Sequence, residues 1–244
     1  MINVLGFPIH DDLNLKLESQ NQIIINTINP HSYCIALNDS IFRKSLFDSD
    51  ILLPDGIGFV YASKLLNKKN INKVSGFDLH QYLIKIANKN QSKVFYLGSS
   101  TSTLKKIQNN INKSYPNIRL ATFSPPFKSK FSALENIKMI EILNSFQPDY
   151  LFIGMTAPKQ EKWVYENKHK LNAKVISSIG AVFDFYSGNI KRSHPFWIKY
   201  GLEWFPRFLK EPRRLFKRNL VSTPKFILQV LYLKVFNKEF FKNN

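Results

Sequence analysis

A chain of 244 residues with 44% hydrophobic content is long enough for one well-filled core, and that content excludes a disordered protein. Its single cysteine, Cys34, excludes an intrachain disulfide and a cysteine zinc site, and fits a reducing cytosol. A formal charge of +18 asks for an anionic partner: a polyanion, a diphosphate or an anionic membrane surface.

In chain order, Met1–Leu5 lacks the basic start and cleavage site of a signal peptide. Short apolar runs predict strands at Asn3–Leu5, Ser32–Leu37, Ile51–Leu53, Lys93–Leu97, Arg119–Phe123, Tyr150–Ile153 and Lys174–Ser178. Helical spacing occupies 40–47, 57–67, 77–89, 101–114, 133–146 and 158–170 between them. This alternation predicts an α/β fold with a mostly parallel sheet flanked by helices. Cys34 sits in one of the apolar runs and reads as an inert core residue.

After Gly188 the pattern changes. Pro195, Pro206, Pro212 and Pro224 divide the rest into short helices, so the chain separates into a core at 1–190 and an appendage at 191–244. Residues 189–244 carry 13 Lys+Arg against 3 Asp+Glu, more than half of the whole chain's excess charge. Trp197, Tyr200, Trp204, Phe205, Phe208 and Phe216 lie among these cations, which favours an anionic lipid interface. Charge alone would also suit nucleic acid, but no recognition motif supports it. Phe226–Phe236 is too short to cross a bilayer and is interrupted by Gln229 and Lys234, so membrane contact should be peripheral.

In an open parallel sheet, ligands bind beyond the carboxyl ends of the strands. Asp55, in Pro54-Asp55-Gly56-Ile57-Gly58, stands at such an end and is either a general base or the cap of the next helix. Gly98-Ser99-Ser100-Thr101 offers helix-start amides to a phosphate, or simply hydroxyl caps; it lacks P-loop spacing. Pro158-Lys159-Gln160-Glu161 carries ordinary helix-start signals, with Gln160 able both to donate and to accept. Gly180 follows an apolar run and precedes Asp184. Arg207, Arg213, Arg214 and Arg218 could clamp a diphosphate or form a solvated basic face. Asp39, Asp48, Asp50 and Asp78 form no metal motif, and the five histidines are scattered; neither a metal nor another cofactor is expected.

An ordered set of short motifs resembles the WecG/TagA/CpsF glycosyltransferases (glycosyltransferase family 26). It comprises Pro54–Gly58, Val74-Ser75-Gly76-Phe77-Asp78-Leu79, Phe95-Tyr96-Leu97-Gly98, Tyr115-Pro116, Pro158-Lys159-Gln160-Glu161-Lys162-Trp163, Gly180–Phe185 with Gly188, Lys191-Arg192, Gly201-Leu202-Glu203-Trp204 and Glu211-Pro212-Arg213-Arg214. The resemblance implies a Rossmann-like core whose basic C-terminal appendage closes the site at the cytoplasmic membrane face. It implies an inverting, metal-independent transfer from a UDP-sugar to a polyprenyl-diphosphate-linked sugar. N-acetylmannosamine onto lipid-linked N-acetylglucosamine is the main expectation; other members use N-acetylmannosaminuronic acid or other hexoses.

By motif, Asp55 matches the family's proposed general base, and Asn38 and Gln160 match pocket positions. Arg213, Arg214 and Arg218 fall where arginines grip diphosphates. Gly56, Lys73, Gly98, Glu161, Asp184, Lys191, Arg192 and Arg207 complete the candidate substrate-binding set. The sequence departs from the pattern at Ala36, where a Thr is common before the Asn, at Lys73, near a frequent Arg, and at His194, where Ala is usual. Two further readings stand beside this one: the same family with another donor in capsule or exopolysaccharide synthesis, and a non-catalytic binding protein. The sequence is also compatible with a homo-oligomer.

Overall fold

The computed structural model describes residues 1–15, 17, 21–191, 193–194, 196–197 and 202–236, with the backbone alone for Lys210 and Arg214. Six parallel strands form the central sheet: β3 (Ile23–Ile28), β4 (Ile51–Pro54), β5 (Lys93–Gly98), β6 (Arg119–Phe123), β7 (Tyr150–Gly154) and β8 (Val175–Ser178). Their order across the sheet is β4-β3-β8-β7-β5-β6. A separate antiparallel hairpin, β1 (Ile2–Val4) and β2 (Phe7–Ile9), turns at Leu5 and Gly6, both at positive φ. His10 N–H donates to the Leu52 carbonyl at 2.9 Å and ties the hairpin to β4.

The main correction to the expected elements lies in β3. Ser32–Leu37 is not a strand: it falls within helix α1 (Pro30–Ala36) and its C-cap. The Asn29 carboxamide oxygen accepts from the amides of His31 and Ser32, and Pro30 occupies the first helical turn, where its missing N–H costs nothing. The strand is instead the isoleucine-rich run just before it, with five of its six residues buried. A strand covered on both faces reads as a continuous apolar run, and β-branched residues suit it.

Helices cover both faces of the sheet. One core cluster joins Ile23, Ile25, Leu53, Tyr96 and Phe152 to α4 (Gly76–Lys89), α5 (Thr101–Ser114) and α8 (Val182–Tyr186). A reciprocal Ser75–Asp78 capping box starts α4. On the opposite face, α6 (Ala133–Phe146) and α7 (Lys159–Asn167) pack beneath β5, β7 and β8. Next to them lie the hairpin, α1, α2 (Ser40–Phe47) and α3 (Ile57–Asn67).

Beyond the core run α9 (Trp204–Lys210), α10 (Pro212–Phe216), a π-helical turn (Lys217–Ser222) and α11 (Thr223–Phe236). Phe226, Val230 and Leu233 of α11 are buried with Tyr33, Phe42 and Phe59 of the core. Gly58 permits the meeting of α1, α3 and α11. A Cβ there would lie 2.6 Å from Pro30 Cγ and 3.3 Å from the Phe226 ring.

Candidate active site

Strand β4 ends at Pro54, and the next residue is anchored from both sides. Asp55 N–H donates to the Ile28 carbonyl at 2.8 Å, and Val74 N–H donates to the Pro54 carbonyl at 2.9 Å. Gly56, with φ +100°, is the N-cap of α3, and no side chain caps that helix. Asp55 therefore does not act as its cap, and its half-buried carboxylate is left to the strand-end cleft. Burial pushes this carboxyl above the ordinary carboxylate range. Arg218 and Lys73 pull it back down, Glu203 raises it, and Arg207 lowers it.

Three of those four charged neighbours come from the appendage. Glu203 pairs with Lys73 at 3.4 Å, linking the start of α9 to the segment before α4. The Arg207 guanidinium stacks over the Phe185 ring of α8, 4.7 Å from its centroid. Arg218 belongs to the π-helical turn. The fold thus gathers Asp55, Lys73, Glu203, Arg207 and Arg218, separated by up to 163 positions in sequence, around one carboxylate. Of the other expected cations, Lys191 and Arg213 are exposed. Arg192 and the side chain of Arg214 lie outside the described residues. Asp184 is half-buried on α8, and its backbone carbonyl accepts from Ile190 N–H at 3.1 Å.

The ends of β5 and β7 form a close backbone seam. Gly98 has φ +125°, and a Cβ there would sit 2.4 Å from the Gly154 carbonyl oxygen. Ser99 N–H donates to that same oxygen at 3.1 Å. Ser100 caps α5 by accepting from Thr103 N–H, so its hydroxyl has the local role that the residue pattern also allowed.

Gln160 and Glu161 lie deeper than their helix-start position suggests, at 4% and 5% exposure. Gln160 Oε1 accepts from Met155 N–H at 3.2 Å, and its Nε2 donates to Glu161 Oε1 at 2.8 Å. Both ends of the amide are thereby engaged within the β7–α7 turn, and a Cβ on Gly180 would lie 3.5 Å from each of them. Glu161 Oε2 has no hydrogen-bond partner, and burial raises its carboxyl to about 7.

Asn38 is exposed just past the end of α1, with its amide donating to the Cys34 carbonyl at 3.3 Å. It was matched to a pocket position by motif. The residues at the end of β3, beside Asp55, are Thr27, Ile28 and Asn29. A Thr and an Asn thus stand two residues apart at this strand end. Glu203 is the other residue that the charge pattern overlooked, because an acid in a basic segment reads as incidental. Cys34 is free and buried, with its thiol shifted up by burial. Among the described residues, no three His, Cys, Asp or Glu side chains converge as a metal centre would require.

Comparison with known proteins agrees with this geometry. The Glycosyl transferase WecG/TagA/CpsF family matches residues 2–239. An N-acetylglucosaminyldiphosphoundecaprenol N-acetyl-beta-D-mannosaminyltransferase of Bacillus subtilis (strain 168) is 33% identical over 218 residues, covering 89% of this chain and 82% of its own. Proteins of the same name from Bacillus spizizenii (strain ATCC 23059 / NRRL B-14472 / W23) and Staphylococcus aureus (strain MW2) are 29% and 28% identical, covering 88% and 89% of this chain and 81% and 83% of their own. A parallel sheet with an uncapped acid at a strand end, matched by one family over nearly its whole length, makes this chain a member of the WecG/TagA/CpsF glycosyl transferase family.

Proposed function

We infer that the chain transfers N-acetylmannosamine from a UDP-sugar to polyprenyl-diphosphate-linked N-acetylglucosamine, with inversion, at the inner face of the membrane. The observation that carries this reading is Asp55: a half-buried carboxylate at a strand end, capping no helix, under Arg218, Lys73 and Arg207. The names of the relatives support the sugar and the acceptor.

In this mechanism Asp55 takes the proton of the acceptor hydroxyl as that oxygen bonds to the anomeric carbon. The bond from that carbon to the UDP oxygen breaks, and UDP leaves with the electron pair. A carboxyl raised by burial is a stronger base than a solvated one. Appendage arginines and Lys73 meet the diphosphate charge, and guanidinium forks match phosphate oxygens. Thr27 and Asn29 stand where a pocket residue from β3 would reach the same cleft.

No helix among the described residues is long and apolar enough to cross a membrane. The outer face of α11 supports peripheral docking instead: Leu228 and Val235 are 68% and 75% exposed, beside the exposed cations Lys225 and Lys234. Docking there places the arginines of the preceding turns near lipid-borne diphosphate.

The test is product mass spectrometry with purified protein, membranes, a short-chain lipid-diphosphate N-acetylglucosamine and a panel of UDP-sugars. A gain of one N-acetylhexosamine from UDP-N-acetylmannosamine is expected, unchanged by EDTA. A gain only from UDP-glucose, UDP-galactose or UDP-N-acetylmannosaminuronic acid would move the chain to capsule or exopolysaccharide assembly. No gain from any donor would overturn the reading.

A further inference from the structure

The π-helical turn that carries Arg218 is fastened to α1 through Ser222. Its hydroxyl is 2.8 Å from His31 Nδ1, and its carbonyl accepts from the Cys34 thiol at 3.3 Å. Both partners lie on α1, one turn apart, and Ser222 is buried beneath them. Two further contacts brace the same junction. Thr223 Oγ1 donates back to the Arg218 carbonyl at 3.2 Å, and the Tyr33 and Phe226 rings meet edge to face at 5.5 Å. A π turn closes its hydrogen bonds one residue further along than an α turn, is rare, and is frequently found at functional sites. Arg218 lies within this turn.

His31 has three neighbours that matter for this role. Asn29, which caps the same helix at the end of β3, lies two residues before it. Arg218 and Lys217 face it from the π turn, and with burial they favour the neutral imidazole. Arg218 therefore acts electrostatically on both His31 and Asp55. Nothing in the glycosyl-transfer chemistry above uses His31.

We propose that His31 is a positioning residue which, through its hydrogen bond to Ser222, holds the π-helical turn so that Arg218 faces the Asp55 cleft. The catalytic consequence rests on the function inferred above. The bond itself does not, and the two are tested separately.

The activity test is a pair of mutant cycles in kcat/KM. His31→Ala and Ser222→Ala should each lower it about five- to tenfold, the scale of one lost hydrogen bond and a slightly misplaced charge. Their effects should not add, because they break the same bond. In an Arg218→Ala background, His31→Ala should cost almost nothing further. His31→Asn, whose amide occupies the place of Nδ1, should restore most of the loss, whereas His31→Gln should not. A loss from His31→Ala that is equally large with and without Arg218 would overturn the proposal.

An NMR titration of the His31 imidazole gives the second readout, independent of turnover. Arg218→Ala should move its midpoint upward, and Ser222→Ala should change the Nδ1 chemical shift. If the wild type transfers no sugar, the functional reading fails, yet these shifts still decide the latch. An imidazole that ignores both substitutions would refute it.

Discussion

Helices α5 and α11 are each 14 residues long and each packs one face on the core, but their outer faces are opposites. α5 buries Thr103, Leu104, Ile107 and Ile111 and exposes Lys105, Lys106, Gln108, Asn109, Asn110, Asn112 and Lys113. α11 buries Phe226, Val230 and Leu233 and also exposes Ile227, Leu228, Leu231, Tyr232, Val235 and Phe236. Water is the natural neighbour of the first helix. The second is apolar nearly all round, which suits a helix with something apolar on both sides. The core side of that sandwich is in place; on the outer side the apolar side chains are exposed. The same contrast holds at the level of charge, since the core supplies Asp55 and the appendage supplies Arg207 and Arg218.

Making α11 resemble α5 should break the contrast with the largest effect. Leu228→Gln combined with Val235→Gln removes two exposed apolar side chains without touching the buried stripe. Liposome partitioning should fall on the order of 10²-fold, about 3 kcal/mol of lost burial, with the melting temperature unchanged. Partitioning that stays intact would mean that this face does not enter the membrane. Truncation before α11 is a poorer probe, because it also uncovers Tyr33 and Phe59 and costs the core its stability.

Glu161 sharpens the core side of the comparison with a smaller, pH-dependent effect. Its carboxyl rises from 4.5 to about 7 on folding, so the folded chain holds a proton that the unfolded chain has released. Its contribution to stability must therefore fall as pH rises from about 4.5 to about 7, and the full penalty is present above that. Glu161→Gln keeps an acceptor for Gln160 and removes the charge. It should stabilise the protein by about 1–3 kcal/mol at pH 8 and little at pH 4, measured by urea unfolding. Equal stability of the two proteins at pH 8 would show that the buried charge is compensated in a way the geometry does not reveal.

Much of the fold is legible in the sequence because each buried strand and each helix has its own period. β5, β6, β7 and β8 and the helices between them fall within a residue or two of expectation. The failure at β3 has a physical cause: short apolar runs suit strand and helix alike, and Ser32–Leu37 is buried by tertiary packing. Asn29-Pro30 was the signal that could have decided it, as a cap followed by a first-turn proline.

The site itself was legible only in part. Asp55 declared itself by its place after an apolar run. Lys73, Arg207 and Arg218 were candidates by resemblance, but that they and Glu203 surround Asp55 follows only from the docking of the appendage. The burial of Gln160 and the anchoring of Ser222 by His31 likewise depend on contacts 5 to 191 positions apart, which no local period encodes.

The most direct measurement is turnover by Asp55→Asn, with folding checked by circular dichroism and UDP binding by calorimetry. General-base loss predicts a fall of about 10²-fold or more in kcat with UDP affinity preserved, and in the wild type a limb of declining rate at low pH whose midpoint lies above the usual carboxylate range. Wild-type turnover in the folded variant would contradict the account and leave the strand-end carboxylate without a role.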